Sequence, residues 1–488
     1  MVYLYSVQTI SDRDIRLRIA RDNAWWDTTV QVPEWAYRRR AYFEPFADLA
    51  LDRGVRRAAV LLGPRRVGKT VLIKQIVQEA ITRGFDPRHI LYASIDTPIY
   101  SGMRLESFVA MLPDQTEPAL IIFDEIQYLR EWERHLKDLV DSYPQIKFIA
   151  TGSAAAALRL KSKESGAGRF SEFMLPPLTF HEFLCFLGSD DELVQEERQG
   201  QYRFPDIEAL NTAFLSYLNF GGYPEAVLNP VIRDDPDQFV RNDIIDKVLL
   251  KDLPALYGIS DIQELNRLFS FLAYNAGNEA NLESISRESG LTKPTIKRYI
   301  EYLESAFLII KVQTVDQNGR TMQRERNFKI YLNNPSMRAA LFAPVEASDT
   351  QLIGRLAESA IYSQWQHGPL SRSLRYARWK DGEVDVVYLD HAMRPLWAVE
   401  LKWSDRAVRH ASDAAGLRAF IAANPTVEAC ALTSRTVTKT IKLDRLVVEV
   451  KPTAAYCYGV GRNLQRHRPG PLINEHDGVD EPLLDLDD

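Results

Sequence analysis

Residues 63–70 have the residue types and the spacing of a phosphate-binding loop. The segment reads Gly63, Pro64, Arg65, Arg66, Val67, Gly68, Lys69 and Thr70, and it fits the pattern G-x-x-x-x-G-K-[ST]. The glycines let the backbone approach a phosphate without a Cβ in the way, and the N–H groups that open the next helix bind anions. We expect Lys69 to neutralise the β- and γ-phosphates of ATP, Thr70 to bind Mg²⁺, and Val71 to end the nucleotide-binding stretch.

A second motif supplies the acidic residues that such a site needs. Residues 119–123 are a continuous apolar run, and Asp124 and Glu125 follow it directly. Such a run predicts a strand buried on both faces of a parallel sheet, and ligands of these sheets bind where the strands end. We expect Asp124 to hold Mg²⁺ through water or Thr70. Glu125 is the predicted general base that activates the attacking water.

A third strand ends in hydroxyl groups close to the expected γ-phosphate. Residues 146–150 precede Thr151, Gly152 and Ser153. AAA+-type ATPases place a sensor residue at this point, and Ser153 is the first candidate, with Thr151 as the alternative. A serine that only caps a turn explains the pattern equally well.

Four charged residues in the last third of the chain have the order of a metal-dependent nuclease site. Glu358 lies in a predicted helix, Asp385 in a predicted strand, and Glu400 and Lys402 at the next strand. Residues two apart on a strand point to the same face, so Glu400 and Lys402 are expected to lie together. Asp385 and Glu400 are predicted to bind Mg²⁺ through oxygen ligands, with Glu358 completing the metal shell. Lys402 would help to deprotonate the attacking water.

Three interpretations of this constellation remain open. It is a working nuclease site, a nuclease-like fold kept only for binding, or alternating charge on a half-exposed strand. Arginines at 372, 375 and 378 and Lys380 form a positive stretch nearby that could attract a nucleic-acid backbone.

Composition favours a large globular protein with several domains. The chain has 488 residues, of which 45% are hydrophobic and 26% charged, and a net charge of −6, so two to four domains are expected. The charge excludes a globally basic nucleic-acid-binding protein but not a local basic patch. Cys185, Cys430 and Cys457 fit no metal or disulfide framework. No apolar window approaches about 18 residues, so we expect a cytoplasmic protein without a membrane segment.

Alternating strand-like and helix-like segments predict an α/β ATPase core with further domains behind it. The predicted parts are a helical prefix packed on the core (1–54), the P-loop core (55–187), a charged insertion with a helical lid (188–261), a winged helix (262–325), a PD-(D/E)xK, restriction-endonuclease-like domain (326–462) and a disordered acidic tail (463–488).

The winged-helix prediction depends on residues 282–312. A short helix ends at Gly290, and a second helix begins after Thr292, with Pro294 in its first turn. The second helix carries three candidates for phosphate contacts, Lys293, Lys297 and Arg298. Four glutamates between 283 and 304 dilute this charge. A structural lid or a partner-binding module is therefore as good an interpretation as a DNA reader.

Together these motifs resemble a prokaryotic family of AAA-type ATPases with a C-terminal domain of unknown function called DUF4143. The resemblance rests on GPRRVGKT (63–70), LIIFDE (120–125), TGS (151–153), LPPLTFHEF (175–183), GGYPEAV (221–227), KIYLNNPS (329–336) and the Glu358, Asp385, Glu400 series. It implies an AAA+-type ATPase, a winged helix and a nuclease-like domain. It also implies that Gly222 and Pro224 contact adenine or sense the nucleotide state. Arg169 becomes a candidate arginine finger that acts in trans.

The sequence thus predicts a Mg²⁺-dependent ATPase that acts with DNA or another nucleic acid through its C-terminal half. One alternative is an ATP-gated, metal-dependent DNA nuclease, for example one that acts in defence against foreign DNA. The other is a nucleotide-regulated scaffold whose nuclease-like domain only binds. ATP and Mg²⁺ are the expected cofactors, no membrane partner is expected, and a homo-oligomer is left open.

Overall fold

The computed structural model divides into two compact units. It describes residues 11–27, 29–114, 117–153, 168–198, 200–235, 237–321, 327–409 and 414–466. The first unit comprises the chain up to Gly63 together with Gly68–Leu175, and the second comprises Pro64–Val67 and the chain from Pro176 onward. The first unit therefore ends before residue 187, where the sequence places the end of the ATPase core.

The first unit is built on a five-stranded parallel sheet. Its strands are β1 (Ala58–Leu62), β2 (Ile90–Ser94), β3 (Ala119–Asp124), β4 (Ile146–Gly152) and β5 (Phe170–Met174). They lie in the order β2-β3-β4-β1-β5, and every neighbouring pair is parallel. All residues of β1, β3 and β4 are buried, as expected of strands covered on both faces. The predicted parallel α/β core is confirmed.

Helices flank this sheet, and the N-terminal prefix is part of the unit. The α-helices are α1 (Asp12–Asp22), α2 (Phe43–Leu51), α3 (Lys69–Thr82), α4 (Leu105–Val109) and α5 (Trp132–Ser142), with short 3-10 turns at Ala24–Trp26, Pro33–Ala36, Pro87–His89, Pro98–Tyr100 and Ile126–Tyr128. The Asn23 side chain donates to the backbone oxygen of Tyr92 at 2.9 Å and accepts from its N–H at 2.6 Å. The prefix thus pairs with edge strand β2, in agreement with its predicted packing on the core.

The second unit contains many short helices. They are α6 (Phe180–Leu187), α7 (Asp190–Leu193), α8 (Ile207–Phe220), α9 (Pro224–Leu228), α10 (Pro230–Asp234), α11 (Leu253–Tyr257), α12 (Ile262–Tyr274), α13 (Leu282–Ser289), α14 (Lys293–Ser305), α15 (Ser336–Leu341), α16 (Thr350–Trp365), α17 (Arg406–Arg409), α18 (Ala415–Ala423) and α19 (Thr453–Arg466), with π-helical turns at Asp237–Asp246 and Val248–Asp252 and a 3-10 turn at Pro369–Ser373. In the described part of the chain, no helix has both the length and the apolar character needed to cross a membrane.

A nine-stranded sheet joins two regions that the sequence treats as separate domains. The strands of the second unit are β6 (Gln195–Arg198), β7 (Gln201–Arg203), β8 (Glu279–Ala280), β9 (Ile309–Val315), β10 (Phe328–Leu332), β11 (Leu374–Trp379), β12 (Gly382–Leu389), β13 (Pro395–Glu400), β14 (Ala429–Ser434), β15 (Lys439–Leu443) and β16 (Leu446–Pro452). The large sheet has the order β15-β16-β14-β13-β12-β11-β9-β10-β8. β9 pairs with β10 on one side and with β11 on the other. The predicted boundary between 325 and 326 therefore falls between two paired strands.

Two further expectations about this unit need correction. The predicted solvated insertion at 188–210 contains α7 and a β6–β7 hairpin, and the Arg466 guanidinium of α19 contacts the Glu196 carboxylate of β6 at 2.5 Å. The predicted disordered tail begins at 463, but residues 463–466 belong to α19, where this ion pair stabilises them. The rest of the predicted tail, 467–488, lies outside the described residues.

Candidate functional site

The phosphate-binding loop leaves β1 and enters α3, as the motif requires. A Cβ atom on Gly63 would lie 2.3 Å from the backbone oxygen of Leu175, so no larger residue fits there. Gly68 precedes α3 with a φ of +94°, a backbone conformation that glycine adopts without strain. Both glycines of the motif thus have a structural reason, packing against Leu175 at Gly63 and a left-handed backbone at Gly68, and their approach to a phosphate stays a prediction.

Lys69 and Thr70 open α3, and each contacts another part of the predicted nucleotide site. The Lys69 ammonium donates to the backbone oxygen of Gly63 at 3.1 Å, so it lies over the loop. The Thr70 hydroxyl donates to Oδ2 of Asp124 at 2.8 Å. This bond brings the helix start and the acidic strand end together, although 54 residues separate them in sequence. Val71 follows in the first turn of α3.

Hydroxyl groups surround the buried carboxylate of Asp124. Besides Thr70, the Tyr92 hydroxyl donates to Oδ2 at 2.8 Å, and the Thr151 hydroxyl donates to Oδ1. Burial and the nearby Asp124 charge raise the pKa of Tyr92, so the phenol remains a hydrogen-bond donor. A carboxylate among hydroxyl oxygens offers the hard ligands that Mg²⁺ prefers. The residues present therefore fit the predicted ion.

Glu125, Gln127 and Ser153 form a chain of polar contacts beside Asp124. Glu125 has a φ of +53°, a left-handed conformation that is uncommon for residues other than glycine and often marks functional sites. The Gln127 amide donates to the Glu125 carboxylate and accepts from the N–H of Ser153 at 3.3 Å. The buried Ser153 hydroxyl has no hydrogen-bond partner among the described residues. Of the two sensor candidates, Thr151 donates to Asp124, whereas the Ser153 hydroxyl makes no hydrogen bond to the described residues, and the sensor role stays a prediction.

The side chains of Arg65 and Arg66 pair with acidic residues of the second unit, to which Pro64–Val67 belong. Arg65 makes a two-point contact with Asp252 at 2.8 and 2.9 Å. Arg66 contacts Glu225 at 3.0 Å and Asp243 at 2.7 Å.

The residues proposed to sense nucleotide lie elsewhere in the chain. Pro224 opens α9 in the second unit. A Cβ on Gly222 would lie 2.4 Å from the Asn334 side chain. Close packing therefore explains a glycine at this position without a nucleotide contact. Arg169 in the first unit pairs with Asp141 at 2.5 Å, and its backbone oxygen accepts from the N–H of Ala58, where β1 begins. Arg169 thus lies at the edge of the sheet opposite the phosphate-binding loop, and its role in trans stays a prediction.

In the second unit, the four residues of the nuclease-like constellation come together. The Lys402 ammonium lies 2.6 Å from Oε1 of Glu400 and 3.8 Å from Oδ2 of Asp385. The N–H of Leu401 donates to Oδ2 of Asp385 at 2.8 Å and fixes that carboxylate. Adjacent antiparallel strands β12 and β13 carry Asp385 and Glu400. The predicted grouping on one face is present.

Lys329 and Glu383 belong to the same cluster, and the sequence analysis did not identify them. The Lys329 ammonium of β10 lies 3.5 Å from Glu358, 2.5 Å from Glu383 and 3.6 Å from Oδ1 of Asp385. The Tyr331 hydroxyl donates to Glu358 at 2.9 Å. Four carboxylates and two ammonium groups therefore share this site, which we call the carboxylate–lysine cluster: Lys329, Glu358, Glu383, Asp385, Glu400 and Lys402.

Burial controls the protonation of this cluster. Burial and then the Asp385 charge raise the pKa of Glu358 to about 7 and that of Glu400 to about 8. Burial opposes the charges of Lys329 and Lys402, but the carboxylates outweigh it and raise the pKa of both lysines. Oε2 of Glu400 is buried without a hydrogen-bond partner among the described residues. Such an orphaned oxygen, next to Asp385, fits the chemistry of a divalent-ion ligand.

The three predicted phosphate-contact residues of α14 differ in their surroundings. The Lys293 ammonium pairs with the Glu283 carboxylate of α13. Lys297 and Arg298 are exposed, and neither has an ion-pair partner within the described ranges. The Arg298 guanidinium lies 6.0 Å from the centre of the Tyr299 ring. Two of the three positive charges are therefore accessible to a ligand.

One further group of potential metal ligands lies around α6. His181, Cys185 and Asp190 have ligand atoms within 4.8 Å of one another. However, the Arg462 guanidinium lies 3.3 Å from Asp190, and the Tyr458 hydroxyl donates to the same carboxylate at 2.8 Å. Because the Arg462 guanidinium already pairs with the Asp190 carboxylate, the arrangement favours a polar core over a cation site.

The residues that sequence reasoning missed all act across strands. Tyr92 follows from the register of β2, since Ser94 pairs with Asp124 and Tyr92 lies two residues earlier on the same face. Lys329 had a visible signal, because it is a lone charge in the otherwise uncharged, fully buried strand β10. Gln127 and Glu383 carried no pattern of their own.

Family models match two segments of the chain. Residues 55–184 match a model described as an AAA domain. Residues 211–349 match a domain of unknown function, DUF8612, whereas the resemblance noted above implies DUF4143 for the C-terminal half.

The curated relatives are themselves uncharacterized. An uncharacterized protein of Haemophilus influenzae is 28% identical over 272 residues, covering 54% of this chain and 63% of that protein. An uncharacterized protein of Methanocaldococcus jannaschii is 23% identical over 303 residues, covering 58% of this chain and 62% of that protein. The chain thus spans less than two thirds of the length of both relatives.

Solved structures show weak similarity. AMPPCP-bound DnaA from Aquifex aeolicus is 16% identical with a TM-score of 0.28, and the match covers 56% of this chain and 92% of that one. The Pif1 helicase from Candida albicans is 12% identical with a TM-score of 0.22, covering 38% of this chain and 54% of that one. Neither likeness is close enough to transfer a function. Residues 55–184 thus match an AAA domain model and contain a five-stranded parallel sheet, which together support an ATPase fold of AAA type in this part of the chain.

Proposed function

We propose that the chain binds ATP and hydrolyses it with Mg²⁺ at the site formed by Lys69, Thr70, Asp124 and Glu125. The 2.8 Å hydrogen bond between Thr70 and Asp124 carries this proposal. A direct contact between the two predicted Mg²⁺ ligands, next to the predicted phosphate-binding loop, supports a common metal site.

Each residue has a distinct role in this proposal. Lys69 and the backbone N–H groups of the loop bind the phosphates, while Thr70 and Asp124 hold Mg²⁺, which neutralises phosphate charge when bound. Glu125 takes the proton from the attacking water. Ser153, whose hydroxyl has no hydrogen-bond partner among the described residues, is the proposed γ-phosphate sensor.

Phosphate release from ATP by the full chain tests this function. We expect turnover in Mg²⁺ and none in EDTA. We also expect that Asp124→Asn reduces the rate by about 10²-fold, because it removes the negative charge of the acidic member of the two proposed Mg²⁺ ligands. Asp138→Asn, an exposed change on α5, is the matched control. Turnover in EDTA, or an unchanged rate in Asp124→Asn, would contradict the proposal.

A second candidate function is metal-dependent cleavage of DNA at the carboxylate–lysine cluster. The orphaned Oε2 of Glu400 favours it, since Asp385 and Glu400 could hold one Mg²⁺ that stabilises charge on phosphorus. The order α16, antiparallel β11–β12–β13, α18, parallel β14 supports the nuclease-like fold that the DUF4143 resemblance implies. Lys402, beside both carboxylates, would position and help to deprotonate the water.

Plasmid DNA with Mg²⁺ or Mn²⁺ tests this second function. Asp385→Ala and Lys402→Ala should each eliminate cutting and leave ATP hydrolysis nearly unchanged, while the exposed Asp381→Ala serves as control. Cutting that survives Asp385→Ala would exclude the cluster as the nuclease site. Binding of DNA without cutting would favour the nucleotide-regulated scaffold instead.

We further propose that residues 262–332 act as a winged helix that contacts nucleic acid. The order α12, β8, α13, α14, β9, β10, with β10 paired between β9 and β8, supports this fold. Lys297 and Arg298 are the exposed charges available for phosphate. If the chain forms a homo-oligomer, Arg169 is the candidate finger for a neighbouring copy.

A further inference from the structure

Asp385 divides the carboxylate–lysine cluster into two parts. Its Oδ1 faces Lys329, which also contacts Glu358 and Glu383; we call these groups the inner lobe. Its Oδ2 faces Lys402, which also contacts Glu400; we call these groups the outer lobe. Each lobe therefore has one lysine, and the shared aspartate joins them.

The two lysines differ in how easily an incoming ion could displace them. The Lys329 side chain is 5% exposed, and its strand β10 is paired on both sides, with β9 and β8. The Lys402 side chain is 36% exposed and follows the last residue of β13. A half-exposed lysine on a flexible stem can turn into solvent, whereas Lys329 has no comparable route.

The need for a further cation also differs between the lobes. In the inner lobe, Glu358 accepts from Tyr331 at 2.9 Å and lies beside the Lys329 ammonium. In the outer lobe, Oε2 of Glu400 is buried and has no hydrogen-bond partner among the described residues. Buried polar atoms normally have partners, so the outer lobe is the part that remains to be completed.

We propose that Lys329 is the permanent cation of the inner lobe and that a divalent ion binds only in the outer lobe, on Asp385 and Glu400. The inference rests on the metal site of the second candidate function and narrows it. The site takes one ion, and Glu358 is not part of its shell. Lys329, 3.6 Å from Oδ1 of Asp385, is then a positioning residue that orients this carboxylate together with the Leu401 N–H, which donates to Oδ2 at 2.8 Å.

Titration of the nucleotide-free full chain with Mn²⁺, followed by electron paramagnetic resonance, tests this assignment. All chains in this titration also carry Asp124→Asn, which removes the acidic ligand of the proposed nucleotide site. In the otherwise natural chain we expect one bound Mn²⁺, and we expect Asp385→Asn and Glu400→Gln each to remove it. Glu358→Gln should change the Mn²⁺ dissociation constant by less than about threefold, since it removes no ligand of the outer lobe. Loss of a group that supports a metal site typically weakens metal binding by about 10–100-fold. A Mn²⁺ dissociation constant raised tenfold or more by Glu358→Gln would therefore overturn the inference.

Replacement of Lys329 gives the complementary result. Lys329→Met should admit a second Mn²⁺ into the emptied inner lobe, and Glu358→Gln added to it should remove that second ion. Lys329→Arg keeps the charge and should keep one ion. If Lys329→Met does not fold, Glu358→Gln and Lys329→Arg in folded protein still decide the question.

The outcomes separate the inference from the function on which it rests. Two ions in the natural chain, or one ion that depends on Glu358, would contradict the inference and leave the metal site standing. Mn²⁺ that binds only after Lys329→Met would support Lys329 as the internal cation and contradict the nuclease function. No Mn²⁺ at the cluster in either protein would contradict both.

Discussion

Two strand aspartates, one in each unit, differ in the groups that face their carboxylates: Asp124 at the end of β3 and Asp385 within β12. Hydroxyls of Thr70, Tyr92 and Thr151 bond to Asp124. The ammonium groups of Lys329 and Lys402 flank Asp385. A hydroxyl keeps lone pairs that can turn toward a metal ion, whereas an ammonium group offers none. The first site is therefore prepared for an incoming cation, and the second is already partly neutralised.

The prediction with the largest effect concerns Glu125. Glu125→Gln keeps the shape of the side chain but removes the general base, so hydrolysis should slow by about 10²–10⁴-fold. ATP affinity should stay within about threefold, because Lys69 and the loop are unchanged. Single-turnover phosphate release and ATP titration measure the two quantities, with the neighbouring Glu131→Gln as control. Turnover at the natural rate would move the water-activating role to another residue.

The next largest effect is expected at Lys329. Lys329→Met leaves buried carboxylates without their cation, which typically destabilises a protein by about 3–5 kcal/mol. Hydrogen-exchange protection of β10 and β12 amides should fall accordingly. Lys402→Met should cause a smaller loss, because that lysine is half-exposed. Equal losses of hydrogen-exchange protection in Lys329→Met and Lys402→Met would contradict the different roles assigned to the two lysines.

The raised pKa values of the cluster predict a pH dependence of stability. Glu358, at about 7, and Glu400, at about 8, bind protons more tightly in the folded state than in the unfolded chain. Their protonation therefore stabilises the second unit at low pH, and this stabilisation is lost as pH rises through about 7 and 8.

Glu400→Gln provides the measurement. It should flatten the decline of the urea midpoint of the second unit between about pH 5.5 and 8.5, while the exposed Glu428→Gln should not. An identical pH profile in Glu400→Gln and the natural chain would show that Glu400 does not titrate in this range.

The smallest effect is expected on α14. The Glu283 carboxylate already pairs with Lys293, so Ala at Lys293, Lys297 and Arg298 together should reduce the salt slope of DNA binding by about 2, from Lys297 and Arg298. Glu283→Gln should free Lys293 and raise the slope by about 1. Unchanged affinity and slope in the triple variant would assign this segment to a lid or a protein interface.

The comparison also explains what the sequence could predict. The phosphate-binding loop is eight consecutive residues, so a local pattern suffices to bring Gly63, Gly68, Lys69 and Thr70 together at the end of β1. The parallel sheet followed from continuous apolar strands. The grouping of Asp385, Glu400 and Lys402 followed from the period of a strand.

The missing parts depend on contacts between distant segments. Lys329 reaches Glu358 and Asp385 only because β10 joins the same sheet as β12, and strand order across such separations leaves no local pattern. The predicted domain boundary between 325 and 326 separates β9 from β10, although these two strands pair. No local sequence pattern indicates this pairing. Helix α19 extends to Arg466 because of a long-range ion pair with Glu196.

Titration of the full chain with ATP and Mg²⁺ by calorimetry, in the natural protein and in Lys69→Ala, tests the central claim most directly. The site at the end of β1 predicts saturable binding in the natural chain. It also predicts binding weaker by about 10²-fold in Lys69→Ala, since a charge-assisted contact to phosphate contributes up to about 3 kcal/mol. The exposed Lys137→Ala should bind as the natural chain does. Equal binding by Lys69→Ala and the natural chain would contradict the nucleotide site.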